Sequence, residues 1–161
     1  YNMQPFEQKK ENLVAVVRQV VVDFLNMDID EKFPIEWKTK SDFVSCFANI
    51  DSNLIKRALS NLIQNSINHN ENGCTIYISV KEDEKNCIIC VEDNGTGVSD
   101  KELEKLNNAP HYMVCDKNTT EQRHGLGLLI VKQIIDVHNG KVMMKHSEYG
   151  GFKVILKIPK I

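Results

Sequence analysis

The sequence lacks any long hydrophobic run, and its charges nearly cancel. No apolar stretch approaches the ~18 residues that a membrane-spanning helix needs, and no signal peptide is visible. The formal net charge of −2 gives no electrostatic reason to expect a nucleic acid as partner. Because 42% of the 161 residues are hydrophobic, the chain can bury a sizeable core, and we expect a single domain over residues 1–161. The sequence opens on Tyr1, so we expect it to be a piece of a longer protein.

Cysteine is sparse and irregularly spaced. The five cysteines are an odd number without a disulfide framework, which favours a reducing compartment. Cys87 and Cys90 have the CxxC spacing of redox and zinc sites. However, they lie in an apolar strand pattern, where residues three apart face opposite sides, and no second CxxC follows. We therefore expect both to be buried structural thiols.

Hydrophobic periodicity predicts helices and strands in one layered domain. Apolar residues recur at helical spacing over residues 11–26, from about Asp51 to Asn70, and from Gly125 to Asn139, with a short further helix over residues 100–106. Alternating or continuous apolar runs predict strands over residues 34–38, 43–48, 75–81, 87–91, 141–147 and 152–158. This pattern fits the α/β class: a two-layer α/β sandwich with a mixed, mostly antiparallel sheet and about three main helices on one face.

Three asparagines form a stripe on the second long helix. At about 100° per residue, Asn61, Asn65 and Asn68 fall within an arc of roughly 60° beside the apolar face. Asparagine is a poor residue for a helix interior, because its amide competes for the backbone. The stripe is therefore either a solvated helix flank or a row of amide oxygens lining a ligand cleft.

Two glycine-containing motifs follow the asparagine helix. Asp93 ends a strand and precedes Gly95 and Gly97, which offers a carboxylate in a cleft or simply a turn. Gly125 and Gly127 stand at the expected start of a helix, where backbone amides and the helix dipole favour an anion. Arg123 and His124 just before them either add donors to a phosphate or face solvent.

The order of these three motifs resembles the histidine kinase/gyrase-type ATPase superfamily, specifically the catalytic ATP-binding domain of two-component sensor histidine kinases. The resemblance extends from about Glu7 to the end of the chain. It implies a Bergerat-type ATP-binding fold, with ATP and Mg²⁺ as cofactors. It also implies an enzyme, a protein-histidine kinase module that donates the γ-phosphoryl group to a histidine on a separate dimerisation domain.

The resemblance also assigns roles to residues. Asn65 matches the asparagine that coordinates Mg²⁺, Asn61 the polar residue near the triphosphate, and Asp93 the adenine-binding aspartate. Gly95 and Gly97 match the glycines that shape the adenine pocket, with Val98 against the base. The remaining residues of the expected ATP site are Asn68, His69, Arg123, His124, Gly125, Leu126, Gly127 and Leu128. Residues 107–124 match the loop that closes over ATP, the lid.

The chain departs from the family pattern at several positions. Asn68 stands where a lysine or arginine is frequent, and His69 where an aromatic residue is frequent. The phenylalanine-centred lid motif is not recognisable between Gly97 and Gly125. These departures keep open an alternative, in which the domain kept the fold as a non-catalytic nucleotide-binding or interaction module. An ATP hydrolase of the gyrase or chaperone kind is disfavoured, because Asn61 stands where those proteins place the water-activating glutamate.

None of the five histidines stands in a phosphoacceptor context on a long N-terminal helix. We therefore expect the dimerisation and phosphoacceptor domain to lie outside this chain. The expected partners are that domain and a response regulator, within a homodimeric full-length protein. The domain itself is expected in the cytoplasm without membrane contact, whereas the parent protein is compatible with a membrane anchor.

Overall fold

Four helices and seven strands make up the described part of the chain. The computed structural model describes residues 6–108 and 120–161, with the backbone alone over residues 120–126. The helices are α1 (Leu13–Leu25), α2 (Ser52–Asn68), α3 (Asp100–Asn108) and α4 (Thr120–Val137). The strands are β1 (Lys9–Asn12), β2 (Ile35–Trp37), β3 (Phe47–Ile50), β4 (Ile76–Glu82), β5 (Asn86–Asp93), β6 (Lys141–His146) and β7 (Phe152–Pro159). No helix in these ranges is long and apolar enough to cross a membrane.

Five strands form one sheet in the order β2-β4-β5-β7-β6. Every neighbouring pair is antiparallel except β2 and β4, which run parallel. Strands β1 and β3 form a separate antiparallel pair. Helices α1, α2 and α4 pack with one face of the large sheet around a single hydrophobic core. The predicted class, a two-layer α/β sandwich with a mostly antiparallel sheet, is confirmed.

Side-chain caps fix where the first two long helices begin. Asn12 caps α1, and its Oδ1 accepts the Val14 backbone N–H at 3.1 Å. Asp51 caps α2, and its Oδ1 accepts the backbone N–H groups of Asn53 and Leu54 at 3.1 and 3.3 Å. These bonds satisfy amides that have no partner within the helix. The cap holds α2 in a defined register, which sets the direction of its asparagines.

The structure differs from the prediction at the start of α4 and at β1. Helix α4 begins at Thr120 rather than at Gly125, so both motif glycines lie inside the helix. The residues just before the glycines include Glu121, Gln122 and Arg123, which favour helices. The prediction missed this first part of the helix because it relied on apolar periodicity, and these residues are polar. Strand β1 was not predicted, because it is a short exposed strand that depends on pairing with β3.

Cys46 and Cys87 form a disulfide, with their Cα atoms 6.1 Å apart. The expectation of a free thiol at Cys87 is therefore wrong. Strand β5 lies close to the chain just before β3, a contact between residues 41 positions apart that no local pattern indicates. Cys90 does face away from Cys87 and is a buried free thiol, as is Cys74. Cys115 lies outside the described residues.

Candidate functional site

Asp93 is a buried carboxylate at the end of the central strand. Its side chain is only 2% exposed. Oδ2 accepts the Ser66 hydroxyl of α2 at 2.9 Å, and Oδ1 accepts the backbone N–H groups of Gly95 at 2.9 Å and Phe152 at 3.2 Å. A carboxylate has about four acceptor positions, so these three bonds leave capacity for one further donor from a ligand.

A narrow pocket lies beside this carboxylate. Its wall is formed by helix α2, the end of β5, the loop after β5 and the start of β7. The lining residues are Asn65, Ser66, His69, Asn70, Asp93, Thr96, Gly97, Val98 and Phe152. Five of the residues that the sequence predicted for the site therefore lie around one pocket: Asn65, His69, Asp93, Gly97 and Val98.

Asn70 joins the end of α2 to the glycine loop. Its Nδ2 donates to the Ser66 carbonyl at 2.7 Å, and its Oδ1 accepts the Thr96 N–H at 3.0 Å. A Cβ atom on Gly95 would lie 2.0 Å from that Oδ1, so glycine is needed there for close approach. Gly97 adopts a positive φ of 68°, which L side chains rarely tolerate. The loop shape thus depends on both glycines and on Asn70.

The other asparagines of the α2 stripe differ in burial. Asn65 is buried in the pocket wall. Asn68 is exposed, accepts a hydrogen bond from Gln64 at 3.0 Å, and borders a second, wider groove together with His69 and Gly95. Asn61 is half-buried, and its Nδ2 has no acceptor among the described residues. An unpaired buried donor is costly and is commonly satisfied by a water or a ligand oxygen.

The second glycine motif is only partly described. Among the described residues, a Cβ placed on Gly127 would meet no atom within 4 Å outside its own helix backbone. Leu128 is buried in the hydrophobic core, so its side chain does not face the pocket. Because α4 begins five residues earlier, Gly125 and Gly127 do not stand at a helix N-terminus, so the helix-terminus argument for an anion there does not apply. The expected contact of these two residues with the phosphates stays a prediction. The side chains of Arg123, His124 and Leu126, and residues 109–119 of the lid predicted over 107–124, lie outside the described residues.

Cys74 lies behind the pocket, next to Asp93. Burial, together with the negative charge of Asp93, raises the pKa of the Cys74 thiol to about 11, whereas a hydrogen bond with Asn70 acts in the opposite direction. The thiol therefore stays protonated at neutral pH and is a poor nucleophile.

The donors in the pocket fit a magnesium ion that is shared with phosphates. Among the described residues, no group of three or more His, Cys, Asp or Glu side chains could hold a metal alone. Mg²⁺ takes oxygen ligands, keeps several waters, and is usually bound through few protein groups plus substrate phosphates. An amide oxygen from Asn65 suits that role, and no residue in this pocket suits a soft metal.

Sequence reasoning missed four residues of the pocket: Ser66, Asn70, Thr96 and Phe152. Ser66 lies on α2, and Asn70 follows four residues later, just beyond the end of the helix. Residues four apart lie on the same side of a helical turn, so this spacing could have indicated both. No local signal indicates Phe152, because β7 reaches the end of β5 only through sheet pairing.

Comparisons with known proteins give a consistent family. The family described as "Histidine kinase-, DNA gyrase B-, and HSP90-like ATPase" matches residues 50–161. The sensor histidine kinase YvrG of Bacillus subtilis (strain 168) is 29% identical over 138 residues, which cover 86% of this chain and 23% of that protein. The chain spans about a quarter of the length of the first curated relatives that it matches.

Solved structures agree with this result. The catalytic domain of histidine kinase ThkA, in a nucleotide-free form, superposes with a TM-score of 0.76 at 27% identity, covering 96% of this chain and 97% of that one. ThkA has also been solved in complex with the response regulator protein TrrA. The match to that structure covers 96% of this chain and 42% of the ThkA chain, with a TM-score of 0.74 and 26% identity. The chain therefore belongs to the family of histidine kinase-, DNA gyrase B- and HSP90-like ATPases, and its fold is that of a sensor histidine kinase catalytic domain.

Proposed function

We propose that this chain binds Mg-ATP in the pocket beside Asp93 and donates the γ-phosphoryl group to a histidine on a separate dimerisation domain. The phosphoryl group would then pass to a response regulator aspartate in two-component signal transduction. The observation that carries the proposal is the position of Asn65, Asp93 and Gly97 around one pocket. The chain's membership of the ATPase family supports the same conclusion, as do the relatives that are named sensor histidine kinases.

The carboxylate of Asp93 is suited to an adenine base. Its spare acceptor capacity lies in a water-poor pocket, where a hydrogen bond from an exocyclic amine is stronger than in water. Val98 and the loop around Gly97 would contact the base, since both line the pocket. An anionic phosphate is excluded as the partner of Asp93, because the two charges repel.

The asparagines on α2 would direct the phosphates. From Asp93 the pocket wall continues along α2 through Asn65. The Asn65 amide oxygen would hold Mg²⁺, which when bound neutralises charge on the phosphates. The Nδ2 of Asn61, one turn earlier on α2, has no acceptor in the part of the chain that the structure describes, and it is a donor suited to a phosphate oxygen or a water. Phosphoryl transfer depends mainly on such positioning and charge neutralisation, so the chain can supply its share without a nucleophile of its own.

Titration calorimetry with ATP, in the presence of Mg²⁺ and then of a chelator, tests nucleotide binding. We expect binding that needs Mg²⁺ for full affinity and that discriminates ATP from GTP, because a guanine presents a carbonyl where adenine has an amine. Nucleotide at ~100 times its Kd should stabilise the chain by about 2.7 kcal/mol in thermal unfolding. Absence of both effects at millimolar nucleotide would contradict the proposal.

A second assay separates the kinase from the non-catalytic alternative. The chain is mixed with γ-labelled ATP and the separate helical dimerisation domain of a sensor histidine kinase that carries its phosphoacceptor histidine. Label that appears on the histidine supports phosphoryl transfer. Binding of ATP without transfer, even to the dimerisation domain of the chain's own parent protein, would favour the alternative. The observation that favours the non-catalytic alternative is Asn68, an exposed neutral residue at a position where the family frequently has a lysine or arginine.

A further inference from the structure

The face of the large sheet that points away from the helices, here called the outer sheet face, has an uneven charge. Alternate residues of a strand point to opposite faces, so residues opposite Ile89 and Val91 form this surface. Ile88 and Cys90 are buried yet stand apart from the hydrophobic core, as expected for side chains on the other face. By register the outer sheet face includes Glu36, Tyr77, Ser79, Lys81, Ile88, Cys90, Glu92, Lys141, Met143, Lys145, Lys153, Ile155 and Lys157.

Strand register arranges these residues in three rows across the sheet. The first row contains Lys81, Ile88, Lys157 and Lys141. The middle row contains Ser79, Cys90, Ile155 and Met143. The third row contains Glu36, Tyr77, Glu92, Lys153 and Lys145. A neutral, largely apolar row is therefore flanked on both sides by lysines.

Most of these lysines have no acidic partner. Among the described residues, the strands place two carboxylates on the outer sheet face, Glu92 and Glu36. Glu92 is engaged by the Ser147 hydroxyl at 2.7 Å and by Lys153 at 4.0 Å. Glu36 pairs with Lys38 at 3.7 Å. Within the described part of the chain, the other four lysines of the surface form no ion pair: Lys81, Lys141, Lys145 and Lys157. Backbone hydrogen bonds lower the pKa of the Asp83 carboxyl, and Lys157 lies near enough to contribute to this shift. Among the described residues of a chain with a formal net charge of −2, one face thus carries four lysines outside any ion pair.

We propose that the outer sheet face docks an acidic segment of another protein, with apolar side chains on the middle row and carboxylates on both flanking rows. Lys141 and Lys145, like Lys157 and Lys153, are four residues apart, so the flanking rows are roughly 13 Å apart. A single helix with its side chains is about 10–12 Å wide. One acidic, amphipathic helix therefore fits between the rows and brings carboxylates within reach of both.

The chemistry of the face favours a protein over a nucleic acid or a lipid surface. All the cations are lysines, whereas arginine is the preferred residue for bidentate phosphate recognition. Tyr77 and Tyr149 stack on each other, with ring centroids 3.7 Å apart, so their facing surfaces are not offered to a base. Met143 and Ile155 are half-buried in the middle row, and an adaptable methionine suits contact with another protein's apolar side chains.

Fluorescence anisotropy with a defined peptide tests the proposal. The probe is a labelled helical peptide with a leucine stripe flanked on both sides by glutamates. We expect it to bind the 161-residue chain, with affinity falling as salt rises. The Lys141→Glu/Lys157→Glu variant should weaken binding by roughly tenfold or more. The matched control, Lys40→Glu/Lys101→Glu, makes the same charge change at two exposed lysines elsewhere and should bind like the unmodified chain.

A second variant tests the apolar row. Met143→Gln keeps the side-chain length, and it should weaken peptide binding several-fold without changing the salt dependence. Thermal unfolding of each variant verifies that the fold is kept. Equal losses in the control and the test variant would overturn the proposal, as would no binding of the peptide at all. Tighter binding to duplex DNA or to phosphatidylglycerol vesicles, lost in Lys141→Glu/Lys157→Glu, would overturn it in favour of a different polyanion.

Discussion

The hydroxyl of Ser66 donates a 2.9 Å hydrogen bond to Oδ2 of Asp93, which connects helix α2 to the end of the central strand inside the pocket. Two backbone N–H groups hold the other carboxylate oxygen. The carboxylate is thus fixed in direction before any ligand arrives, which lowers the entropy lost on binding. Five predictions follow from this site and its surroundings.

Replacing Asp93 by asparagine should weaken ATP binding by roughly ten- to hundredfold, the equivalent of about 1.5–3 kcal/mol for a hydrogen bond to a charged group. Asparagine keeps the shape, and Ser66 can accept as well as donate, so the fold should be retained. The measurement is the Kd for ATP by calorimetry. Glu92→Gln is the matched control, because it neutralises the adjacent carboxylate on the opposite face and should leave the Kd unchanged.

Replacing Asn65 by alanine should remove the Mg²⁺-dependent part of ATP binding. The amide oxygen is the proposed metal ligand, so the Kd in Mg²⁺ should approach the Kd measured with a chelator. Gln64→Ala, an exposed amide one residue earlier on α2, serves as the control. An Asn65→Ala variant that keeps the full Mg²⁺ dependence would show that the metal assignment is incorrect.

The contact between Gly95 and Asn70 predicts a specific coupling. Gly95→Ala should destabilise the fold by about 1–3 kcal/mol, because its Cβ would overlap the Asn70 amide oxygen. Adding Asn70→Ala should relieve part of that loss, and a double-mutant cycle by urea unfolding measures it. Gly127→Ala, where no described atom outside the helix's own backbone lies within 4 Å of the added Cβ, should instead be neutral or stabilising by up to about 1 kcal/mol. Additive losses in the cycle would contradict the coupling.

Reduction of the Cys46–Cys87 disulfide should destabilise the chain. The bridge closes a loop of 41 residues, and removing such a constraint typically costs about 2–4 kcal/mol. The measurement is urea unfolding with and without dithiothreitol. In a Cys46→Ala/Cys87→Ala variant the reductant should have no effect, and a reductant effect that persisted there would point to another cause.

Stability should fall at alkaline pH through Cys74. Burial raises the pKa of its thiol from 9.0 to about 11, so the unfolded chain loses this proton at lower pH than the folded chain. The contribution is fully present below pH 9.0 and is lost as the pH rises towards about 11. The unfolding free energy of the unmodified chain should therefore decline more steeply than that of Cys74→Ala over this range. Parallel curves would exclude a role for this thiol.

The sequence by itself determined the fold class and the presence of the four described helices, because hydrophobic periodicity reports burial wherever one face of an element meets the core. It placed the start of α4 five residues too late. It also determined most of the proposed site. Asn65 and Asp93 stand at positions where an ordinary core or a plain surface would favour other residues, and their order along the chain made the family recognisable.

Only the tertiary structure decided what depends on contacts between distant segments. The Cys46–Cys87 bridge, the approach of Phe152 to Asp93, and the pairing of β1 with β3 join segments that are far apart in sequence. The same holds for the outer sheet face, since strand register places lysines from three strands side by side. Local pattern fixes which face of an element is buried, but the neighbours of that face follow from how the whole chain packs.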